Sequence, residues 1–245
     1  VDQKWFARQV DALPYSYVAN ALPRQIADEL RELHSLARGD VHARGRYLQE
    51  SDSLEFVIGT HEQITPGVFH KLTGALAGQG LQILSAEINT LADGVVLDRF
   101  YVRDPDYSEP PPQERIDKTC QALAQALKSP VSTPPFRKLW QTAATRERAA
   151  LNRLPTRVLI DNSSSEDFTI VDVFAHDRLG LLFTIARTLF ELELSVSVAK
   201  IGTYLDQVVD VFYVTDQSGH KLTDEGRLSQ ITNGLLEAIN GMDAT

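Results

Sequence analysis

The sequence predicts an α+β chain of two tandem βαββαβ units, and three observations carry that prediction. The same order of apolar patterns, reading strand, helix, strand, strand, helix, runs from about residue 54 to 127 and again from about 168 to 239. In both stretches a glycine, Gly67 or Gly180, stands just ahead of the first helical pattern. In both, the third strand carries Asp, then Phe-Tyr-Val, then Asp in one register: Asp98, Phe100-Tyr101-Val102 and Asp104 against Asp210, Phe212-Tyr213-Val214 and Asp216. Repetition of a whole element order together with its residues marks a duplicated supersecondary unit.

The elements follow in order. A helix-like run over 24–36 lies behind Leu22-Pro23, a helix-start signal. The first copy opens on a β-rich run, 54–60, then a helix with Val68, Phe69, Leu72, Ala75 and Leu76 at helical spacing. Its second strand ends at Ile88-Asn89-Thr90, a hairpin leads to the third strand, and 113–127 reads as the closing helix. A connector follows with Ser129-Pro130 and Thr133-Pro134-Pro135, then a short helix near 142–151. Residues 157–160 read as an extra strand entering the second copy, and Asp161-Asn162-Ser163-Ser164-Ser165 as a turn. The second copy repeats the first: strand 168–175, a helix with Leu181, Leu182, Ile185, Ala186 and Leu189 in phase, a second strand ending at Ile201-Gly202-Thr203, and a closing helix over 223–239. There Thr223-Asp224-Glu225 offers a capping hydroxyl and first-turn carboxylates. Right-handed crossovers close each copy as a ferredoxin-like unit, an antiparallel four-stranded sheet with two helices on one face. The expected organisation is an N-terminal arm, partly helical (1–50), a first unit (51–128), a proline-rich linker with a short helix (129–156) and a second unit (157–245).

Composition narrows the function classes. Apolar residues make up 43% of the chain, enough for sizeable cores. Lys and Arg number 24 against 33 Asp and Glu, a net charge of −9, which disfavours nonspecific binding to nucleic acid or anionic membrane. No apolar run reaches the roughly 20 residues that cross a bilayer. Cys120 is the single cysteine, so no disulfide forms within the chain; its spacing with Ile116, Leu123 and Leu127 puts it on a helix's apolar face. A cytoplasmic protein fits these features. The start, Val1-Asp2-Gln3, has no Met and no signal-peptide pattern, and reads as a piece of a longer polypeptide.

The loop ahead of each first helix is the best place for chemistry. In the second copy it is His176-Asp177-Arg178-Leu179-Gly180-Leu181-Leu182. A glycine at a helix start lets a ligand approach backbone closely, and the free N–H groups there favour a carboxylate. The structural alternative is that Gly180 only relieves the turn and Asp177 caps the helix. His176-Asp177 is also a metal-ligand dipeptide in some hydrolases, but the other histidines are scattered and no metal site is expected. No phosphate-cradling loop, nucleophile elbow or catalytic triad is legible. RNA-recognition domains share the βαββαβ order, yet a basic aromatic signature is missing and no nucleic acid is expected.

The loop Asp177-Arg178-Leu179-Gly180-Leu181-Leu182 resembles the Asp-Arg-Pro-Gly-Leu-Leu loop of ACT domains, small regulatory modules that bind amino acids. Arg157-Val158-Leu159-Ile160-Asp161-Asn162 and the run from Val208 to Asp216 further resemble the C-terminal part of the bacterial PII uridylyltransferase/uridylyl-removing enzymes. The resemblance covers about residues 54–240, and weaker similarity extends to Leu13-Pro14-Tyr15. It implies tandem ACT domains that sense L-glutamine and allosterically control nucleotidyltransferase and hydrolase domains absent from this chain. It also implies that the parent protein acts on the signalling protein PII.

The resemblance places ligand where the pre-helix loop of one ACT unit faces the second-strand start of its partner. The implied residues are His176, Asp177, Arg178, Leu179, Gly180, Leu181 and Leu182 with Ser195, and Gln63, Ile64, Thr65, Pro66, Gly67, Val68 and Phe69 with Gln82. The first copy departs from the pattern: Ile64-Thr65 stand where Asp-Arg is expected, and its loop is longer by a residue or so. No cofactor and no catalytic residue are implied within the chain. Two other readings stay open: a docking or dimerisation module for PII or a second copy of the chain, and a standalone sensor of another amino acid.

Overall fold

The computed structural model describes residues 2–14, 17–18, 21–129, 155–178, 180–204 and 207–242. Its strands are β1 (His42–Leu48), β2 (Ser53–His61), β3 (Gln82–Glu87), β4 (Val95–Arg103), β5 (Arg157–Asp161), β6 (Thr169–His176), β7 (Leu194–Tyr204) and β8 (Gln207–Asp216). The helices are α1 (Gln3–Ala12), α2 (Pro23–His34), α3 (Val68–Gly78), α4 (Gln113–Lys128), α5 (Leu181–Glu191) and α6 (Glu225–Gly241). The helix expected near 142–151 and most of the proline-rich linker lie outside the described residues.

All eight strands form one antiparallel sheet in the order β1-β2-β4-β3-β7-β8-β6-β5. Each half is the expected four-stranded unit carrying two helices, α3 and α4 on one and α5 and α6 on the other. The outer strand of each half precedes its unit: β1 pairs with β2 and β5 with β6, giving a chain order of ββαββα. The extra strand read at 157–160 is β5. Its counterpart β1 was hidden within the stretch read as the arm, because His-Ala-Arg-Gly-Arg-Tyr-Leu carries little apolar alternation.

The halves join where β3 meets β7, with Ser85 opposite Lys200, Ala86 opposite Ala199 and Glu87 opposite Val198. Ala86 and Ala199 are both buried, and their small size leaves room for α3 and α5 to meet above the seam. Alternation along β4 and β8 sends Phe100 and Phe212 into this inner layer, both at 0% exposure, while Tyr101 and Tyr213 stay half-buried on the other face. The main core runs beneath all four helices and includes Ile58, Leu72, Ile116, Leu123, Val173, Ile185, Ile231 and Leu235. Cys120 packs partly buried against it, its thiol pushed up to about 11 by burial. At the start of α6 the capping oxygen comes from Asp224, which accepts the Arg227 N–H at 2.7 Å, rather than from the Thr223 hydroxyl.

The opposite face of the sheet is treated differently in the two halves. In the first half the arm covers it: Leu13, Tyr17, Leu30 and Leu33 pack on Val57, Val95 and Leu97. Glu29 of α2, 1% exposed, is held by both Tyr17 and Arg44, and by Arg99 of β4 at 3.0 and 3.1 Å. Arg99 also reaches Tyr17 Oη at 3.0 Å and Glu55 at 3.5 Å. The second half has Leu159 and Val211 in the registers that Arg44 and Arg99 occupy in the first, and Leu159 is 50% exposed.

Arg99→Ala would strand Glu29 and Glu55 in a buried site, and a loss of about 3–5 kcal/mol in chemical denaturation is expected. Limited proteolysis should then cleave the arm first. Gly45 of β1 lies so close under α4 that a Cβ would sit 2.5 Å from Ile116 Cγ2 and 2.6 Å from the Phe56 ring. Gly45→Ala should therefore lower stability by about 1–3 kcal/mol, read as a lower Tm.

Candidate functional site

Both pre-helix loops end on a glycine in the left-handed region, Gly67 at φ 69° and Gly180 at φ 80°. An L side chain is strained in that conformation, so glycine is the residue the turn requires. Each glycine is also the N-cap of its helix, and neither helix has a side-chain cap. Asp177 therefore does not cap α5. A helix start with no side-chain cap from its N-cap residue, as in both copies, is the arrangement that suits a carboxylate.

The register sets what each loop faces. His176 and Tyr204 both pair with Gln207, so the second loop lies beside the end of β7. Gln82 stands three residues before Ser85, whose partner is Lys200, and so lies toward that same end of the seam. In the first copy, His61 pairs with Val95 and Thr90 bridges Val96, which brings the first loop beside residues 88–90. Ser195 stands three residues before Val198, the partner of Glu87, and lies toward that loop. The arrangement is crosswise: each loop shares its end of the seam with the second-strand start of the other copy.

The individual residues divide by what they touch. In the second loop, the Arg178 guanidinium donates to the Ile239 carbonyl at 2.8 Å, tying the loop to the end of α6. Asp177 is exposed and His176 half-buried, Gly180 and Leu181 are buried, and Leu182 packs partly buried on the core. Leu179 lies outside the described residues. Ser195 and Gln82 are exposed and paired across their sheets with Thr215 and Arg103.

The first loop runs two residues longer, from His61 to Gly67 against His176 to Gly180, and a 3-10 turn at Glu62–Ile64 takes up the excess. Thr65 is buried and accepts from Lys71, whose ammonium also reaches the Ser129 carbonyl at 2.8 Å. Pro66 is exposed, Val68 half-buried and Phe69 buried against Phe100 at 6.2 Å between centroids. Gln63 and Ile64 turn away from the seam and line a cleft of about 430 Å³ with Arg38, Gly39, His61 and Lys128.

Sequence reasoning missed three buried polar groups close to these loops. His70 is 2% exposed, its ring fills the space a Gly67 Cβ would take, and its Nδ1 has no hydrogen-bond partner among the described residues. It meets Phe183 and Phe190 of α5 at 6.1 and 5.0 Å, and burial pushes it down to about 4. Phe183 is its counterpart, three residues beyond Gly180 as His70 is three beyond Gly67. Asp98 and Asp210 are the other two, and burial pushes both up to about 8. They belong to the repeated Asp-x-Phe-Tyr-Val run, so the duplication itself was the signal that could have found them.

These shifts carry opposite signs. His70 ionises less readily folded than unfolded, so its contribution is present above about 6.5 and is lost as pH falls through about 4. Asp98 and Asp210 hold their protons more tightly folded, so theirs is present below 3.8 and lost as pH rises through about 8. His70→Phe, which copies the residue of the second half, should therefore flatten the fall in Tm between pH 6.5 and 4 and leave the alkaline limb unchanged.

Residues 164–240 match the family described as ACR family N-terminal ACT domain. The chain is 31% identical over 240 residues, 98% of its length, to a bifunctional uridylyltransferase/uridylyl-removing enzyme of Erythrobacter litoralis. It is 32% identical over 243 residues to the enzyme of that name from Zymomonas mobilis, and 33% over 187 residues to that of Rhodospirillum rubrum. It spans 24%, 24% and 19% of the length of these relatives. Residues 164–240 therefore carry the ACT-family match, and nearly the whole chain is similar to about a quarter of the length of uridylyltransferase/uridylyl-removing enzymes.

Proposed function

We propose that this chain is an allosteric amino-acid sensor, two ACT units spanning about 51–128 and 157–245, and that its ligand is L-glutamine. The observation that carries the reading is the repeated uncapped helix start, Gly67 before α3 and Gly180 before α5, each set beside the second strand of the other copy. An α-carboxylate suits the positive end of an uncapped helix. Ligand seated at the seam would favour one arrangement of the two halves and so bias catalytic domains joined to them. Coupling of about 1–3 kcal/mol is the usual scale for such control. The ACT-family match of residues 164–240 supports the amino-acid class, and the uridylyltransferase/uridylyl-removing relatives support glutamine and a PII-type partner for the longer protein.

Calorimetric titration with L-glutamine, with L-glutamate and L-serine as controls, should give saturable glutamine-selective binding. Gly180→Ala strains the left-handed turn and should weaken that binding at least about tenfold while costing only about 1 kcal/mol of stability. Equal affinity in the variant would remove the loop from the site, and selectivity for L-serine or another amino acid would change the ligand assigned.

A second reading, docking to PII or to another copy, rests on the outer face of the second half, which carries no counterpart of the arm among the described residues. There Leu159, Phe174, Val211 and Tyr213 remain partly or largely exposed where the first half is covered by its arm. A mass that rises with concentration and ignores amino acids would favour it.

A further inference from the structure

Asp98 and Asp210 hold one place in the two copies. Asp98 on β4 stands opposite Ile58, Asp210 on β8 stands opposite Val173, and each lies two residues before the fully buried phenylalanine of its strand. Both are on the helix-facing side of the sheet, at 0% and 1% exposure. Each carboxyl accepts one backbone N–H from the end of the second strand of its own copy: Asp98 Oδ1 takes that of Asn89 at 3.1 Å, and Asp210 that of Gly202. The other oxygen, Oδ2 of Asp98 and Oδ1 of Asp210, has no hydrogen-bond partner among the described residues. Leaving a buried polar group unpaired costs stability, and this chain carries that cost twice in equivalent positions.

The surroundings indicate what the open oxygen suits. Asp210 lies within electrostatic reach of Asp177 in the pre-helix loop, and His176 acts in turn on Asp177. Among the described residues no other charged side chain bears on Asp210, and none bears on Asp98. A second anion would be repelled, whereas a cationic donor would pair with the carboxylate and relieve the cost of its burial. The starts of α3 and α5, neither with a side-chain cap from its N-cap residue, present the opposite polarity at the same end of each copy. A small zwitterion matches both.

We propose that Asp210, with Asp98 as its equivalent, is the acidic half of an amino-acid site, taking the ligand's α-ammonium on its open oxygen while the first-turn N–H groups take the α-carboxylate. The assignment rests on the amino-acid reading above and adds the residue that reads the ammonium. It also sets a proton balance. Both carboxyls, raised to about 8, are mostly protonated in the empty protein at pH 7. The incoming ammonium stabilises the carboxylate, so one proton leaves each occupied site for the buffer.

The test is calorimetry on the 245-residue chain at pH 7 in phosphate and in Tris, whose ionisation heats differ. L-Glutamine should release about one proton per occupied site. Glutaramate, which is glutamine without its α-amino group, should bind at least about tenfold more weakly. The double variant Asp98→Asn, Asp210→Asn keeps the shape of both side chains and should bind glutamine at least about tenfold more weakly, with no proton released. Glutamine binding with no buffer dependence, or equal affinity for glutamine and glutaramate, would overturn the assignment while leaving the amino-acid reading intact. Buffer dependence needs no variant, so it decides the matter even if the double variant does not fold. Absence of any amino-acid binding by the unaltered chain would overturn both.

Discussion

The antiparallel pairing of β3 with β7 holds the two copies in one sheet, and most other features follow from it. A four-stranded unit on its own would leave the outer edge of its second strand open to chance partners. Joining those edges through Ser85–Glu87 and Val198–Lys200 closes them internally. The inner positions of the seam are the two alanines, Ala86 and Ala199. Their size lets α3 and α5 come together above it, so His70 meets Phe183 and Phe190 across the join. Because the pairing is antiparallel, it also decides that each pre-helix loop sits by the other copy's second strand. A seam shifted by one residue would turn the alanines to the wrong face and break that juxtaposition.

Duplication leaves the halves alike in backbone and unlike in chemistry. The first half spends its outer face on the arm, through a buried cluster of Glu29, Tyr17, Arg44, Arg99 and Glu55. Such a cluster contributes less to stability than its number of contacts suggests, since Glu29, Arg99 and Glu55 have lost their water. Its clearer consequence is specificity, because the arm fits only where the two arginines are. The second half has Leu159 and Val211 at those places and cannot hold the same arm. A comparable divergence runs through the loops: Lys71 fastens Thr65 to the end of α4 in the first, and Arg178 fastens the second to the end of α6.

Much of this architecture was legible in the residues, for identifiable reasons. Phe100-Tyr101-Val102 and Phe212-Tyr213-Val214 reveal their strands because alternation and aromatic bulk survive duplication. Gly67 and Gly180 reveal the helix starts because a left-handed turn leaves little choice of residue. Strand β1 was obscured because its outward face is built for carboxylates, Arg44 meeting Glu29 and Arg46 meeting Glu55 where a solitary sheet would show apolar or neutral residues. Its Gly45, which reads as a strand breaker, is there to admit α4. In the site the loops were legible, while His70, Asp98 and Asp210 were not. A histidine or aspartate carries no local sign of burial; that is settled by helices and strands far away in the chain. The cap at α6 shows the same limit on a small scale, since Thr223 and Asp224 are both good capping residues and only backbone geometry chose between them.

The account depends above all on the seam, and native-state hydrogen exchange of backbone amides at residues 85–88 and 197–200 tests it most directly. The Ile88 N–H, which donates to the Ser197 carbonyl at 3.0 Å, is the natural reporter. One continuous sheet predicts that these amides open only with the cores on either side, at rates close to those of β4 and β8, and exchange more slowly still with L-glutamine present. Rapid exchange at the seam, indifferent to glutamine and faster than in either flanking sheet, would mean that the copies move as separate bodies, and would contradict a ligand site built between them.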